Sequence, residues 1–176
     1  MNNMLTTRRK IRARAELALE VARRQANGER GVFTNGCFDL LHLGHVRYLQ
    51  DARALGDFLV LGLNGDGSLR QLKGPGRPLV PEDERAEILA ALSCIDYVTI
   101  FPEITAIALV EALKPAIYVK GGDWAGVQDG QPEQKMLPEA PSVLAYGGEI
   151  RLIPYLPGHS TTELIAAIKH LPGKSS

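Results

Sequence analysis

Residues 31–50, GVFTNGCFDLLHLGHVRYLQ, decide the fold of this chain. They open with an apolar run, GVFTN, that lacks alternation between apolar and polar residues, which is typical of a strand buried on both faces. A loop carrying Gly36 and Gly44 follows, and a helical pattern begins near His45. A buried strand, a glycine-containing loop and a helix make up the repeating unit of an α/β domain with a parallel sheet.

The same unit recurs along the rest of the chain. Further apolar runs predict the strands DFLVLGLN (57–64), DYVTIF (96–101), AIYVKG (116–121) and EIRLIPY (149–155). Helical patterns lie between or after them, at 45–56, 81–93, 103–115 and 160–170. This alternation predicts a doubly wound parallel sheet of about five strands. A length of 176 residues suits a single such domain.

The charge distribution sets the first 30 residues apart. The whole chain balances 20 Lys and Arg against 20 Asp and Glu, whereas residues 1–30 hold eight basic residues and three Glu. Apolar residues recur at helical spacing over 8–26, so we predict a basic helical extension over 1–30, a main domain over 31–171 and a short tail over 172–176. A solvated helix is favoured over a nucleic-acid-binding arm because the charges are mixed, and no nucleic-acid partner is expected.

Cysteine content and hydropathy indicate the compartment. Cys37 and Cys94 are the only cysteines, too few for a disulfide framework. The sequence shows neither a secretory segment nor an apolar run long enough to span a bilayer. We therefore expect a cytoplasmic protein without a membrane partner.

Two stretches interrupt the alternation and are candidate binding loops. One is NGDGSLRQLKGPGRPLVPED (64–83), which is basic and rich in Gly and Pro, and the other is GGDWAGVQDGQPEQKMLPEAPS (121–142). Long loops in compact domains are usually functional or mobile. A third candidate is the loop after the first strand, because ligands of open α/β sheets bind beyond the carboxyl ends of the strands.

The loop after the first strand carries His42 and His45. Residues three apart share a face of a helix or tight turn, so both imidazoles can aim N–H donors at one phosphate chain. Gly36 and Gly44 allow close approach of backbone to a partner, and the start of the next helix attracts an anion. The residues therefore favour a phosphate-binding site.

Other interpretations of this loop remain open. Either histidine taken alone is explained by a polar core role, whereas two histidines that bracket a glycine after a strand favour the phosphate site. Cys37, His42 and His45 form no usual zinc spacing and have no fourth ligand nearby, so we assign no protein side chain as a metal ligand. Cys37 as a nucleophile would need a base and an oxyanion hole, and a small residue at a strand tip explains it as well.

The segment GCFDLLHLGH resembles the His-x-Gly-His signature of the nucleotidylyltransferase superfamily, which has a Rossmann-like fold. Four segments are similar, in order, to the adenylyltransferase domain of bacterial ADP-heptose synthases: FTNGCFDLLHLGHVRYLQDARALGD, RQLKGPGRPLVPEDERAEILAAL, VKGGDW and HSTTELI. The similarity covers about residues 31–170. Two segments depart from the pattern of that domain. NGDG stands where NSD is common, and the segment 126–136 is unusually long.

The resemblance implies three sets of site residues. The catalytic set is His42, His45 and Lys73. The nucleotide-binding set is Thr34, Asn35, Gly36, Cys37, Phe38, Asp39, Gly44, Gly121, Asp123, Trp124, Ser160, Thr161 and Thr162. The substrate-binding set is Lys73, Arg77, Arg85 and Lys120.

Several of these residues also have structural explanations. Ser160 or Thr161 suits a helix N-cap, with Glu163 completing a capping box. Lys73 and Arg77 are explained by solvated charge on a loop, and Arg85 by a surface ion pair with Glu82, three residues before it. Similarly, Asp39 suits a cap of the first helix of the domain or a metal-bound phosphate, Asn35 or Asp123 suits a turn, and Trp124 suits packing under its loop.

The resemblance implies transfer of AMP from ATP, carried with Mg²⁺, to a sugar 1-phosphate, with release of pyrophosphate. The acceptor implied is D-glycero-D-manno-heptose 1-phosphate, so the product would be ADP-heptose for lipopolysaccharide or surface-glycan synthesis, made by a homodimer. A glycerol-3-phosphate cytidylyltransferase using CTP is the alternative, although such enzymes usually carry Arg-Thr-x-Gly-Ile-Ser-Thr where this chain has LPGHSTT. A non-catalytic nucleotide-binding module is an alternative of another class.

Overall fold

The computed structural model describes residues 3–121, 137–154 and 156–171. Within them, five parallel strands form a sheet in the order β3-β2-β1-β4-β5. The strands are β1 Gly31–Gly36, β2 Phe58–Asn64, β3 Tyr97–Phe101, β4 Ile117–Gly121 and β5 Glu149–Ile153. The predicted α/β fold, a Rossmann-like doubly wound parallel sheet, is confirmed.

Helices cover both faces of the sheet. In the described part of the chain they are α1 Asn3–Lys10, α2 Arg14–Ala26, α3 Leu43–Arg53, α4 Asp66–Lys73, α5 Glu82–Ala90, α6 Ile107–Leu113, α7 Ala140–Ala145 and α8 Thr161–Lys169. Residues of α3 and α5 pack with the sheet in one hydrophobic cluster, and residues of α2, α6 and α7 pack in a second. None of the described helices is long and apolar enough to cross a bilayer.

The apolar runs lack alternation because both faces of the sheet are covered. In β1, Val32 belongs to one cluster and Phe33 to the other, and both side chains are fully buried. All seven residues of β2 are buried. Burial on both faces removes the polar face that an exposed sheet would show.

The strand order fixes where a ligand can bind. The chain passes from β1 to β2 on one side, whereas β4 pairs with β1 on the other side. The order therefore reverses at β1, and the carboxyl ends of β1 and β4 border a crevice. The loop that carries His42 leaves the sheet at this point.

The leader differs from the predicted single helix over 8–26. Between α1 and α2, Ile11 forms a parallel bridge with Val98 of β3, and the Arg12 N–H donates to the Val98 carbonyl at 2.9 Å. An edge strand has unpaired backbone groups, and pairing with them interrupts the helix. Leu17 and Val21 of α2 are fully buried, so the leader packs onto the domain.

Part of each predicted long loop is helical. The segment 64–83 contains α4, because SLRQL places Leu69 in the core while Arg70 and Gln71 are exposed. Lys73 is therefore the last residue of a helix and not a loop residue. In the segment 121–142, α7 begins at Ala140, whereas residues 122–136, including 126–136, lie outside the described residues, as does the tail over 172–176.

Candidate active site

His42 and His45 lie face to face at the start of α3. His42 is the N-cap residue, with extended backbone, and His45 lies in the first turn. Their ring centroids are 3.8 Å apart with an interplanar angle of 25°. The ring of Phe38 packs against His45, with a centroid distance of 5.0 Å. The structure thus brings together the two imidazoles that the three-residue spacing predicts on one face.

Burial keeps both imidazoles uncharged at neutral pH. It lowers the pKa of His45 to about 4, helped by the charge of His42 and only partly opposed by the Leu40 backbone. Burial also lowers the pKa of His42, with a further contribution from the charge of His159. Within the described residues, Nδ1 of each ring is buried without a hydrogen bond of normal geometry. Orphaned buried polar atoms are uncommon and often mark a functional site.

The depressed pKa of His45 predicts a loss of stability in acid. Below the ordinary pKa of 6.5, the unfolded chain takes up a proton at His45 that the folded chain does not bind until about pH 4. The free energy of unfolding should therefore fall from pH 6.5 to pH 4 by up to about 3 kcal/mol more than in His45→Phe, which keeps a ring but does not titrate. Urea unfolding at pH 7, 5.5 and 4.5 measures this difference. Parallel pH profiles would contradict a buried, neutral His45.

Gly44 joins the histidine pair to the start of α8. A Cβ at this position would lie 2.7 Å from the His159 carbonyl oxygen and 3.0 Å from Nδ1 of His42. Because glycine has no Cβ, the turn before α8 packs directly on the first turn of α3. The two segments that resemble family signatures are thereby adjacent in space, although more than 110 residues separate them in sequence.

The start of α8 is capped as predicted. Ser160 is the N-cap residue, and its Oγ accepts a hydrogen bond from the Glu163 N–H at 3.1 Å. The same Oγ donates to the Glu163 carboxylate at 2.8 Å, so Glu163 binds the hydroxyl and not the backbone N–H of an ordinary capping box. Thr161 is partly exposed and Thr162 is exposed in the first turn of α8.

Asp39 does not cap the first helix of the domain, which was one prediction for it. Its carboxylate accepts hydrogen bonds from Arg77 and from the backbone N–H groups of Leu79 (2.8 Å) and Val80 (3.0 Å). Burial would raise the pKa of this carboxyl, but these donors hold it below its usual value. Asp39 therefore ties the segment after α4 to the loop after β1, and Arg77 is already engaged in an ion pair.

Arg85 is buried, which contradicts the predicted surface ion pair with Glu82. Its guanidinium donates to the carbonyls of Val80 (2.9 Å), Cys37 (2.6 Å) and Asn64 (2.9 Å), and to the Asp66 carboxylate (2.6 Å). Its side chain is 1% exposed. Four of its five N–H groups are used inside the protein, so Arg85 positions the loops after β1 and β2 and does not present a free guanidinium to a substrate.

Residues of β1 have their side chains on opposite faces of the sheet. The buried Thr34 hydroxyl bonds with the Tyr48 hydroxyl at 2.6 Å, and Thr34 has no exposed surface in this structure. On the other face, Oδ1 of Asn35 accepts a hydrogen bond from the Tyr118 hydroxyl at 2.9 Å. Lys120 donates to the Asn35 carbonyl at 3.1 Å, and burial lowers the pKa of this lysine. Asn35 and Lys120 therefore lie together at the switch point.

The residues between Gly36 and Phe38 shape the loop. Phe38 has a φ of +44°, a strained value for an aromatic residue, and a Cβ at Gly36 would lie 2.9 Å from its ring. Gly36 therefore makes room for the ring that supports His45. Burial raises the pKa of the Cys37 thiol, which disfavours the thiolate that a nucleophile needs. No group of three or more His, Cys, Asp and Glu among the described residues could hold a metal ion.

The remaining predicted site residues are placed only in part. Lys73 is exposed at the end of α4, and its charge acts on the Cys37 thiol by lowering the thiol pKa against the effect of burial. Its ammonium therefore lies near enough to the loop after β1 to act on this thiol. Gly121 is the last, buried residue of β4. Asp123 and Trp124 lie outside the described residues.

Sequence reasoning missed three residues that build the site. Tyr48 joins Thr34 of β1 to the Val119 carbonyl of β4, which its hydroxyl reaches at 3.2 Å. Tyr118 orients Asn35, and His159 contributes the carbonyl that packs on Gly44. The sequence held two signals for these residues. Tyr48 lies three residues after His45, and Tyr118 lies two residues before Lys120.

The chain is similar to known proteins in sequence and in structure. A family model described as cytidylyltransferase-like matches residues 33–167. The crystal structure of the lipopolysaccharide core biosynthesis protein from Thermoplasma volcanium GSS1 is similar, with a TM-score of 0.56 and 26% sequence identity over 73% of this chain and 98% of that one. The match of the family model spans both signature segments, since His42 and Ser160 lie within residues 33–167.

Longer relatives are also similar. The bifunctional protein HldE of Syntrophotalea carbinolica is 56% identical over 161 residues, which are 90% of this chain and 31% of that protein. The protein of the same name from Geobacter sulfurreducens is 53% identical over 86% of this chain and 29% of that protein. The chain thus spans about a third of the length of these curated relatives.

Proposed function

The chain belongs to the cytidylyltransferase-like family of nucleotidyltransferases, and we propose that it transfers AMP from ATP to D-glycero-D-manno-heptose 1-phosphate. The observation that carries the proposal is the stacked imidazole pair at the start of α3, with unpaired buried nitrogens, in contact with the turn that opens α8. Two helix N-termini and two neutral N–H donors suit a polyphosphate. The acceptor follows from the resemblance to ADP-heptose synthases and from the missing arginine in LPGHSTT.

The reaction needs positioning more than proton transfer. A phosphate oxygen of the sugar phosphate attacks the α-phosphorus of ATP, a new P–O bond forms, and the bond to the β-phosphate breaks to release pyrophosphate. The attacking phosphate is already ionised near neutral pH, so no side chain has to remove a proton. The raised pKa of Cys37 also favours this direct displacement over a covalent intermediate.

The residues act on the charge of the phosphates. His42 and His45 donate N–H groups to phosphoryl oxygens, and the N–H groups at the start of α8 bind the same chain. Lys73, exposed at the end of α4 and near the loop after β1, neutralises charge on the triphosphate or the acceptor. Mg²⁺ enters with ATP as part of the substrate. We place the reaction in the cytoplasm, where ATP is available.

The test is an assay that crosses ATP and CTP with heptose 1-phosphate and glycerol 3-phosphate while pyrophosphate release is followed. We expect release with ATP and heptose 1-phosphate and at least tenfold less with the other three combinations, because a site built to bind one substrate's polar groups rejects analogues that leave them unpaired. Release with CTP and glycerol 3-phosphate alone would replace this proposal by the cytidylyltransferase alternative. Nucleotide binding without release in any combination would indicate a non-catalytic module.

A further inference from the structure

A third imidazole lies beside the histidine pair. His159 is exposed on the turn directly before α8, and its carbonyl oxygen would be 2.7 Å from a Cβ at Gly44. Nδ1 of His42 would be 3.0 Å from the same point. The backbone of His159 and the ring of His42 therefore flank one glycine, at the place where the first turns of α3 and α8 meet.

The ring of His159 has one nitrogen available for a ligand. Its Nδ1 is 2.9 Å from the Pro157 carbonyl oxygen. A carbonyl only accepts hydrogen bonds, so Nδ1 carries a hydrogen and Nε2 is the atom left for a ligand. Nε2 donates to an anion in the imidazolium form, in which both nitrogens carry a hydrogen. The charge of His159 also acts on His42, because it contributes to the lowered pKa of that residue after the larger effect of burial. The two rings are thus electrostatic neighbours.

Apart from the contact of Nδ1 with the Pro157 carbonyl, no hydrogen bond among the described residues uses the His159 ring. Ser160 and Glu163 complete the cap of α8 with each other, so the cap does not need the imidazole. Glu163 is the acidic neighbour on this side, and its charge raises the pKa of His42, opposing His159. Its carboxylate already accepts the Ser160 hydroxyl. An exposed imidazole remains on the α8 side of the phosphate site.

We propose, on the basis of the proposed nucleotidyl transfer, that the His159 imidazolium is a third phosphate ligand, which donates its Nε2–H to the leaving pyrophosphate. His42 and His45 lie at the start of α3, so they serve the α-phosphate, whereas His159 precedes the helix start that binds the β- and γ-phosphates. When the bond between the α-phosphorus and the bridging oxygen breaks, the electron pair goes to the pyrophosphate. A donor on that side stabilises the charge that develops there.

The test compares binding of magnesium pyrophosphate and of AMP to the wild-type chain, His159→Ala, His159→Gln and His170→Ala by calorimetry. His170 is the matched control, an exposed histidine at the other end of α8. In His159→Ala the Kd for pyrophosphate should rise about tenfold or more, as expected for the loss of a hydrogen bond to a charged group, while the Kd for AMP stays the same. His159→Gln keeps an N–H near the position of Nε2 and should retain part of the affinity.

Two results would overturn the role of His159. One is an unchanged Kd for pyrophosphate in His159→Ala, and the other is an equal loss of pyrophosphate and AMP binding, which indicates general damage to the site. A change in His170→Ala as large as in His159→Ala would count equally against it. The proposed function fails separately, if the wild-type chain releases no pyrophosphate from any nucleotide and acceptor.

Discussion

Replacing His45 by phenylalanine should lower turnover by about 10²–10³-fold, the usual cost of losing one donor to a developing oxyanion. Phenylalanine keeps a planar ring against His42 and Phe38, whose centroids lie 3.8 and 5.0 Å from the His45 ring. It removes only the ring nitrogens, so the loss reports the hydrogen bond and not the packing. Pyrophosphate release at saturating ATP and acceptor gives kcat, and urea unfolding at pH 7 verifies that the variant is folded.

His45→Ala provides the comparison for this result. It removes the nitrogens together with the ring, so its kcat should fall to a similar level while its stability falls below that of His45→Phe, because the ring contact with Phe38 is lost. His170→Ala, on the exposed end of α8, should keep the wild-type kcat. Near-normal turnover in a folded His45→Phe would show that the imidazole does not act in the reaction.

The sheet was predictable from sequence because its signal is local. Each strand is buried on both faces and so appears as an uninterrupted apolar run, as in the seven buried residues of β2. The break in the leader was not predictable, because it depends on pairing of Ile11 with Val98, 87 residues away. The helix α4 was hidden by Gly65 and Gly67 at its start and by the Gly and Pro residues after Lys73.

The relative positions of site residues were predictable from sequence where those residues lie in one short segment. The spacing of His42 and His45 fixes their common direction on α3 whatever the rest of the chain does. The partners of the charged residues were harder to predict from sequence, because they come from distant parts of the chain. Asp39 pairs with Arg77 and Arg85 with three carbonyls, and neither arrangement leaves a local pattern. Arg77 and Arg85, which the resemblance assigns to the substrate, hold loops together in this structure through these contacts.

Replacing Arg85 by methionine should therefore lower the free energy of unfolding by about 3 kcal/mol or more, the cost of breaking a buried charge network from one side. The change leaves the carbonyls of Cys37 and Asn64 without their donor in a buried place, and the Asp66 carboxylate without its counter-charge. Arg85→Lys should recover only part of the loss, since one ammonium cannot reach acceptors on several sides as a planar guanidinium does. Urea unfolding of the three proteins measures both effects.

Arg47→Met is the matched control, because Arg47 is exposed on α3 and its replacement should change stability by less than about 0.5 kcal/mol. The kinetics separate the two possible roles of Arg85. If Arg85 binds the acceptor directly, its replacement should raise KM and leave stability unchanged. If Arg85 holds the ends of β1 and β2, its replacement should lower stability and kcat together. Wild-type stability with an increased KM for the sugar phosphate would return Arg85 to the substrate-binding set, and would mean that its four hydrogen bonds inside the protein contribute little to folding.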